Sequence, residues 1–132
     1  DALTPGLATL AIALALAHLA SGDAFGAPTE LPWAIELWGA RRHPSQAYEL
    51  LCAAIILVVL LRLKPGSLFP GLAFGLFIAL TAGARLFLEA FRGDSMLWFG
   101  ALRAAQIASL GILLAALAII RRQAQRSTEP AP

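Results

Sequence analysis

Four long apolar runs separated by short polar stretches dominate the hydropathy pattern of this chain. They cover residues 3–20, 47–63, 68–91 and 97–120. Each run is long enough, or nearly so, to cross the ~30 Å hydrocarbon core of a bilayer as a helix. The pattern therefore predicts an all-α fold. We expect a polytopic membrane helix bundle of about four transmembrane helices in a single membrane domain, residues 1–132.

The polar stretch 21–46 predicts an outer loop at the membrane interface, formed as an irregular loop or a short pair of strands. Trp33 and Trp38 would anchor it at headgroup level, where tryptophan is enriched. Ser45 is the predicted N-cap of the second helix. In the third run, the spacing of Gly71 and Gly75 is typical of a helix that another helix approaches closely.

Composition supports a membrane protein. Hydrophobic residues make up 59% and charged residues 14% of the chain, and the mean hydropathy is +0.76, whereas a soluble domain carries about 25% charged residues. The net charge of +2 comes without a basic cluster, which argues against nucleic acid as a partner. The chain begins at Asp1 without a signal-peptide pattern, so we expect further residues upstream.

Basic residues predict the orientation of the bundle. Arg62 and Lys64 flank one short turn, and Arg121, Arg122 and Arg126 follow the last run on the same side. The positive-inside rule places this side in the cytoplasm and the 21–46 loop on the periplasmic side. Residues 121–132 would form a polar, frayed cytoplasmic tail.

Arg85 is a charged residue inside the apolar run 68–91, with Glu89 four and Arg92 seven positions later. Helical spacing places the three on one stripe. A charge at this depth costs at least ~2.5 kcal/mol unless it is paired or faces a wet cavity. The stripe therefore predicts either an ion pair inside the membrane or a site for a charged ligand.

Further polar residues are expected near the same outer ends of the helices: His18, Asp23, His43, Gln46, Tyr48, Glu49, Arg103 and Gln106. One interpretation is a network that only locks the bundle, with Glu49 paired to Arg92 or Arg103. The other is an outward-facing cavity. Arginine in such a cavity suits the phosphate of a membrane lipid, and a nearby Tyr or His could move a proton. Taken alone, His43 is expected to be an interface loop residue and His18 an interior hydrogen-bonding residue. No spacing of His, Cys or carboxylates predicts a metal site.

Four segments resemble the prolipoprotein diacylglyceryl transferase family. They are Arg-His-Pro-Ser-Gln-Ala-Tyr-Glu at 42–49, Gly-Ala-Arg-Leu-Phe-Leu-Glu-Ala-Phe-Arg at 83–92, Ala-Ala-Gln-Ile-Ala-Ser at 104–109 and Gly-Ala-Pro-Thr-Glu-Leu-Pro-Trp-Ala at 26–34. The resemblance covers nearly the whole chain and corresponds to about the C-terminal half of that enzyme. It implies a multi-pass protein of the bacterial inner membrane that transfers diacylglyceryl from phosphatidylglycerol to the lipobox cysteine of a preprolipoprotein.

The resemblance also implies roles for residues. Arg85 matches a family arginine that engages the headgroup phosphate, Glu89 would orient it, and His43 completes the expected catalytic set. The expected headgroup-binding residues are Arg85, Gln46, Tyr48, Glu49, Arg92, Gln106, His18 and Asp23. No cofactor is expected. Phosphatidylglycerol would be a substrate or a bound lipid, and the signal peptide of a preprolipoprotein would be a partner.

Several positions depart from the family pattern. Ala15 stands where the family signature has an arginine, His18 and Ser21 replace two asparagines, Asp23 replaces a glutamate, and Thr81 replaces a tyrosine. These departures keep a second hypothesis open: a catalytically inactive homologue that holds lipid as an accessory subunit of a larger membrane complex, together with other membrane subunits.

Overall fold

The computed structural model describes residues 1–63, 69–95, 97–98 and 102–128. These residues form four α-helices: α1 (Thr4–Ser21), α2 (Ser45–Leu61), α3 (Leu72–Leu88) and α4 (Ala104–Thr128). A 3₁₀ turn, Glu89–Phe91, continues α3. Two short antiparallel hairpins pair β1 (Ile35–Leu37) with β2 (Ala40–Arg42) and β3 (Leu97–Trp98) with β4 (Leu102–Arg103).

Three helical segments are long and apolar enough to cross a membrane: α1, α3 with its 3₁₀ turn, and α4. The fourth, α2, is apolar but shorter, at 17 residues. Large apolar side chains such as Leu10, Leu51 and Ile112 are exposed on the outside of the helices. Such a surface suits lipid and not water. The predicted all-α membrane bundle is confirmed.

The helices pack as chain neighbours, α1 on α2, α2 on α3 and α3 on α4. The core lies where α1, α2 and α3 meet, around Ala8, Ile56 and Leu60. Between α3 and α4, a Cβ on Gly75 would lie 2.9 Å from Ile120 Cγ1. The close approach predicted from the glycine spacing is therefore confirmed, and α4 is the helix that makes it.

Several predicted boundaries are wrong. Ser45 is the first residue of α2 and not its N-cap, because its hydroxyl donates a hydrogen bond to the carbonyl oxygen of Ala24, 2.6 Å away. The last helix begins at Ala104, since residues 97–98 pair in a hairpin. It continues to Thr128 because Arg and Gln, which dominate 121–126, favour helix. The turn predicted around Lys64 and residues 129–132 lie outside the described residues.

The predicted strand pair in the outer loop is confirmed as the β1–β2 hairpin. Its turn places Trp38 and Gly39 at φ of 54° and 71°, the left-handed pair that a two-residue type I′ turn requires. The Trp38 indole donates to the carbonyl oxygen of Gly22 at 3.1 Å, and the Trp33 indole donates to Tyr48 Oη at 2.8 Å. The two tryptophans thus attach the loop to the end of α1 and the start of α2.

An extended segment after α1 is hydrogen-bonded both to the end of α3 and to the residues just before α2. The Ala27 amide donates to the Phe91 carbonyl at 2.7 Å, and the His43 amide donates to the Ala27 carbonyl at 3.1 Å. Gly26 and Gly93 make this crossing possible: a Cβ on Gly93 would lie 2.7 Å from the Gly26 carbonyl oxygen. The crossing fixes the start of α2 relative to the end of α3, which is where the charged residues lie.

Candidate functional site

A cavity of about 210 Å³ lies between α1, α2 and α3. Its wall consists of Ala8, Ala11 and Leu14 from α1, Ser45, Glu49, Cys52, Ala53 and Ile56 from α2, Phe77, Thr81, Ala84, Arg85 and Leu88 from α3, and Ala24 and Arg92 from the connecting segments. The charged side chains of this wall are at the end near the outer loop.

The opposite end of the cavity is apolar. Ile56 follows Glu49 by seven residues along α2, and Phe77 precedes Arg85 by eight along α3. At 1.5 Å per residue these separations correspond to roughly 10 and 12 Å along the helix axes. The cavity is therefore polarised along the bundle, with cations at one end and hydrocarbon at the other. This polarity matches an amphipathic ligand.

Arg85 forms the predicted pair with Glu89, with 3.5 Å between Nε and Oε2. The contact is an ion pair without hydrogen-bond geometry, since Glu89 Oε2 has no hydrogen-bond partner within the described residues. The Glu89 side chain is 2% exposed and that of Arg85 is 42% exposed. Arg85 is thus balanced from behind by a buried carboxylate, while its terminal nitrogens remain available to a ligand in the cavity.

Arg92 is a second cation on the cavity wall, although it does not share the helical stripe that we predicted. The helix tightens to a 3₁₀ turn at Glu89, and Arg92 is extended (φ −77°, ψ 142°). Its guanidinium binds Asp94 through two hydrogen bonds, Nη2 to Oδ2 at 2.6 Å and Nε to Oδ1 at 2.9 Å. Burial lowers the pKa of Arg92, but the hydrogen bond and charge of Asp94, with the charges of Glu89 and Glu49, raise that pKa above its ordinary value.

The turn that carries Arg92 is held by Arg103, which lies in β4 just before α4. Arg103 Nη1 donates to the carbonyl oxygen of Glu89 and, at 2.8 Å, to that of Arg92. The Glu89 carbonyl also accepts a hydrogen bond from the Arg92 amide at 3.3 Å, so Arg103 reinforces the bond that closes the 3₁₀ turn. Arg103 therefore fixes the backbone of Arg92 and leaves the Arg92 side chain to the cavity.

Glu49 pairs with His18, with 2.9 Å between Oε2 and Nδ1. Its predicted direct pairing with Arg92 or Arg103 is wrong, because those guanidiniums bind Asp94 and the turn carbonyls. His18 is the interior hydrogen-bonding residue that we predicted, and it lies behind the cavity wall. Ala15, where the resemblance implies an arginine, is fully buried, and the second arginine of the cavity wall is Arg92.

Five other predicted site residues do not contribute to the cavity wall in the described part of the chain: His43, Gln46, Tyr48, Asp23 and Gln106. Gln46 is buried and donates to the Asp23 carbonyl at 3.0 Å, whereas the Asp23 residue itself is exposed. The His43 ring packs on Phe91, with centroids 5.2 Å apart. Gln106 is half-buried on α4. His43, Gln46 and Tyr48 instead form hydrogen bonds with Ala27, Asp23 and Trp33 of the outer loop.

Three polar residues of the wall were missed in the sequence: Ser45, Cys52 and Thr81. Ser45, Glu49, Cys52 and Ile56 are spaced by four, three and four residues, which is one helical stripe. That spacing was the signal that could have identified them. In the described part of the chain, no group of three His, Cys, Asp or Glu side chains is placed to hold a metal ion.

Comparison with known proteins shows the family. The family model described as prolipoprotein diacylglyceryl transferase matches residues 1–122. Among curated relatives named phosphatidylglycerol–prolipoprotein diacylglyceryl transferase, that of Finegoldia magna is 38% identical over 94 residues, covering 70% of this chain and 38% of the relative. That of Nitrobacter winogradskyi is 37% identical over 116 residues, covering 80% and 40%.

The relative from Methylocella silvestris is 34% identical over 125 residues, covering 88% of this chain and 46% of the relative. The chain thus spans less than half the length of these curated relatives. No solved structure matches it. Because the family model covers almost the whole chain, the chain belongs to the prolipoprotein diacylglyceryl transferase family.

Proposed function

We propose that the cavity binds phosphatidylglycerol by its headgroup, and that the protein transfers the diacylglyceryl group to the cysteine thiol of a lipobox peptide. The observation that carries this proposal is the polarity of the cavity: Arg85 and Arg92 at one end, Ile56 and Phe77 at the other. A phospholipid has the same sequence of charge and hydrocarbon. The names of the relatives supply the substrate class.

The cavity is too small for a whole phospholipid and would hold the headgroup with only the first part of the acyl chains. Its volume of about 210 Å³ is below the ~300 Å³ of the smallest typical ligand pockets. Leu14 of α1 and Thr81 of α3 belong to the wall and are also exposed. The remaining chain length would therefore pass between α1 and α3 into the bilayer.

The two guanidiniums match the charge that develops in this transfer. The thiol sulfur bonds to the terminal glyceryl carbon, and the bond from that carbon to a phosphate oxygen breaks. The leaving glycerol phosphate gains one negative charge relative to the phosphodiester. Arginines fixed in a site of low dielectric constant stabilise such charge. Arg85 and Arg92 would thus favour the leaving group.

The thiol must also lose its proton. His18 and Glu49 are an imidazole–carboxylate pair at the charged end, and Glu49 lies on the cavity wall. A carboxylate bonded to Nδ1 fixes the tautomer in which Nε2 accepts a proton. His18 is therefore the proton acceptor that we propose. Neither histidine belongs to the cavity wall, but only His18 is bonded to a wall carboxylate; the His43 ring packs on Phe91, and His43 supports the loop in this account.

We further propose that the bundle lies in the bacterial cytoplasmic membrane as one domain, with the charged end of the cavity and the β1–β2 hairpin towards the periplasm. Arg62, Arg121, Arg122 and Arg126 are exposed at the opposite end of the bundle. The positive-inside rule places that end, with the end of α4, in the cytoplasm.

The test is a transfer assay with purified protein, phosphatidylglycerol and a synthetic lipobox peptide. It follows both glycerol phosphate release and the mass of the peptide. We expect Arg85→Ala to reduce turnover by about 10²-fold or more, whereas the control Arg121→Ala, at the far end, leaves it unchanged. Unchanged turnover in Arg85→Ala would contradict the role of Arg85. Lipid binding without transfer by the unmodified protein would contradict the transferase and support a lipid-holding accessory subunit.

A further inference from the structure

Three carboxylates at the charged end of the cavity each contact a basic side chain, and the three pairs differ in how easily the carboxylate can leave. The pairs are Arg85 with Glu89, His18 with Glu49, and Arg92 with Asp94. A phosphodiester that enters this end adds a negative charge where both arginines of the cavity wall already contact a carboxylate. One resident carboxylate must therefore give up its cation, or the site accumulates negative charge.

Glu89 cannot leave at low cost, because its side chain is 2% exposed and an unpaired charge at that depth is expensive. Glu49 lies within α2, half-buried, and its partner His18 is on a neighbouring helix. Asp94 is different. Its side chain is 25% exposed, close to the 22% of Glu49, but it follows Gly93 in the loop after the 3₁₀ turn, outside the helices. A rotation of its side chain takes the carboxylate into water.

The contact between Arg92 and Asp94 has the geometry that a phosphate would adopt. Nε and Nη2 of Arg92 meet the two carboxylate oxygens at 2.9 and 2.6 Å, and the same fork binds two oxygens of a phosphodiester. Arg103 holds the turn through the carbonyls of Glu89 and Arg92. The backbone of Arg92 can therefore stay in place while the partner of its side chain changes.

We propose that Asp94 is a built-in competitor of the lipid: the phosphodiester displaces its carboxylate from Arg92 when the headgroup binds. The inference rests on the proposed headgroup site and adds the residue that sets its affinity. The exchange keeps the charge of the buried part of the site constant, since one anion replaces another. Arg85 needs no such exchange, because no hydrogen bond joins it to Glu89 Oε2 within the described residues and its side chain is 42% exposed.

The experiment titrates short-chain dioctanoyl phosphatidylglycerol into the detergent-solubilised protein and measures Kd by calorimetry. We expect Asp94→Asn, which keeps the shape and removes the charge, to tighten binding roughly threefold to fivefold, the range of an exposed ion pair. The matched control is Glu36→Gln, since Glu36 is an exposed carboxylate of β1 at the same end of the bundle. It should leave Kd unchanged. In an Arg92→Ala background, Asp94→Asn should have no effect.

Three results would overturn the role of Asp94 without affecting the proposed headgroup site. They are binding of the lipid by Asp94→Asn no tighter than by the unmodified protein, the same gain in affinity from Glu36→Gln, and a gain that persists without Arg92. If neither the unmodified protein nor Asp94→Asn binds, while both unfold at the same temperature, the headgroup site itself is wrong. Titration of glycerophosphoglycerol, the headgroup without acyl chains, tests whether the site takes the phosphodiester of a lipid or a free phosphodiester. Weaker binding with the same ranking of variants supports the lipid, and affinity equal to that of the lipid would contradict it.

Discussion

His18 Nδ1 lies 2.9 Å from Glu49 Oε2, and this bond joins a carboxylate of the cavity wall to an imidazole behind it. Because Glu49 is satisfied by His18, it does not neutralise either arginine of the cavity by direct contact. The pair connects α1 to α2 across 31 residues of sequence. It therefore affects both the stability of the bundle and the charge that a ligand meets.

Replacing His18 by alanine should leave Glu49 without a partner. We expect the free energy of unfolding to fall by about 1–2 kcal/mol, as for a partly exposed hydrogen bond to a charged group. Binding of phosphatidylglycerol should also weaken, because the released carboxylate is free to pair with Arg85 or Arg92. Thermal unfolding in detergent and lipid titration measure the two effects. Adding Glu49→Gln to His18→Ala should restore much of the affinity. If His18→Ala alone changes neither quantity, the pair has no such role.

The crossing of Gly26 over Gly93 should tolerate no side chain. A Cβ on Gly93 would lie 2.7 Å from the Gly26 carbonyl oxygen, and one on Gly26 would lie 2.7 Å from His43 Cβ. We expect Gly93→Ala to destabilise the protein by about 1–3 kcal/mol, the cost of overpacking, and to weaken lipid binding because Arg92 is displaced.

The control for this prediction is Gly83→Ala, within α3, where nothing lies within 4 Å of the added Cβ. It should be neutral or stabilise the helix by up to about 1 kcal/mol. Thermal unfolding of the two variants side by side gives the comparison. Equal unfolding temperatures for Gly93→Ala and Gly83→Ala would mean that the backbones do not cross this closely.

The contact between α3 and α4 gives a third prediction. An alanine at position 75 would bring Cβ to 2.9 Å from Ile120 Cγ1. Gly75→Ala should therefore destabilise the pair by about 1–3 kcal/mol. Ile120→Ala in the same protein should recover part of that loss, since it removes the clashing atoms. A loss that is simply additive in the double variant would place α4 against another face of α3.

The helices could be predicted from sequence because apolar length and i,i+4 spacing are local properties. Arg85 and Glu89 are one turn apart within one helix, so their pairing required no knowledge of the tertiary structure. Arg92 could not be placed in this way, since the 3₁₀ turn after Leu88 breaks the helical register. Its partner Asp94 depends on the conformation of a loop.

Tertiary contacts account for the remaining differences. The predicted N-cap role of Ser45 assumed a local bond, whereas the hydroxyl reaches the Ala24 carbonyl, 21 residues away. The partner of Glu49 could have been any of several basic residues, and the sequence does not give the distance between α1 and α2 that decides among them. Gln46 and Tyr48 share a segment with Glu49, yet helical geometry turns them towards the loop. The stripe through Ser45, Glu49, Cys52 and Ile56, with Ala53 beside it, faces the cavity.

The most direct test of the account asks whether phosphatidylglycerol lies in this cavity with its headgroup at Arg85. The measurement is photocrosslinking in membranes with phosphatidylglycerol that carries a diazirine in one acyl chain, followed by mass spectrometric mapping of the adducts. We expect adducts on Ile56 and Phe77, their loss in Arg85→Ala and their retention in Arg121→Ala. Adducts confined to outward-facing residues such as Ile112 and Leu114, or an unchanged pattern in Arg85→Ala, would contradict the account.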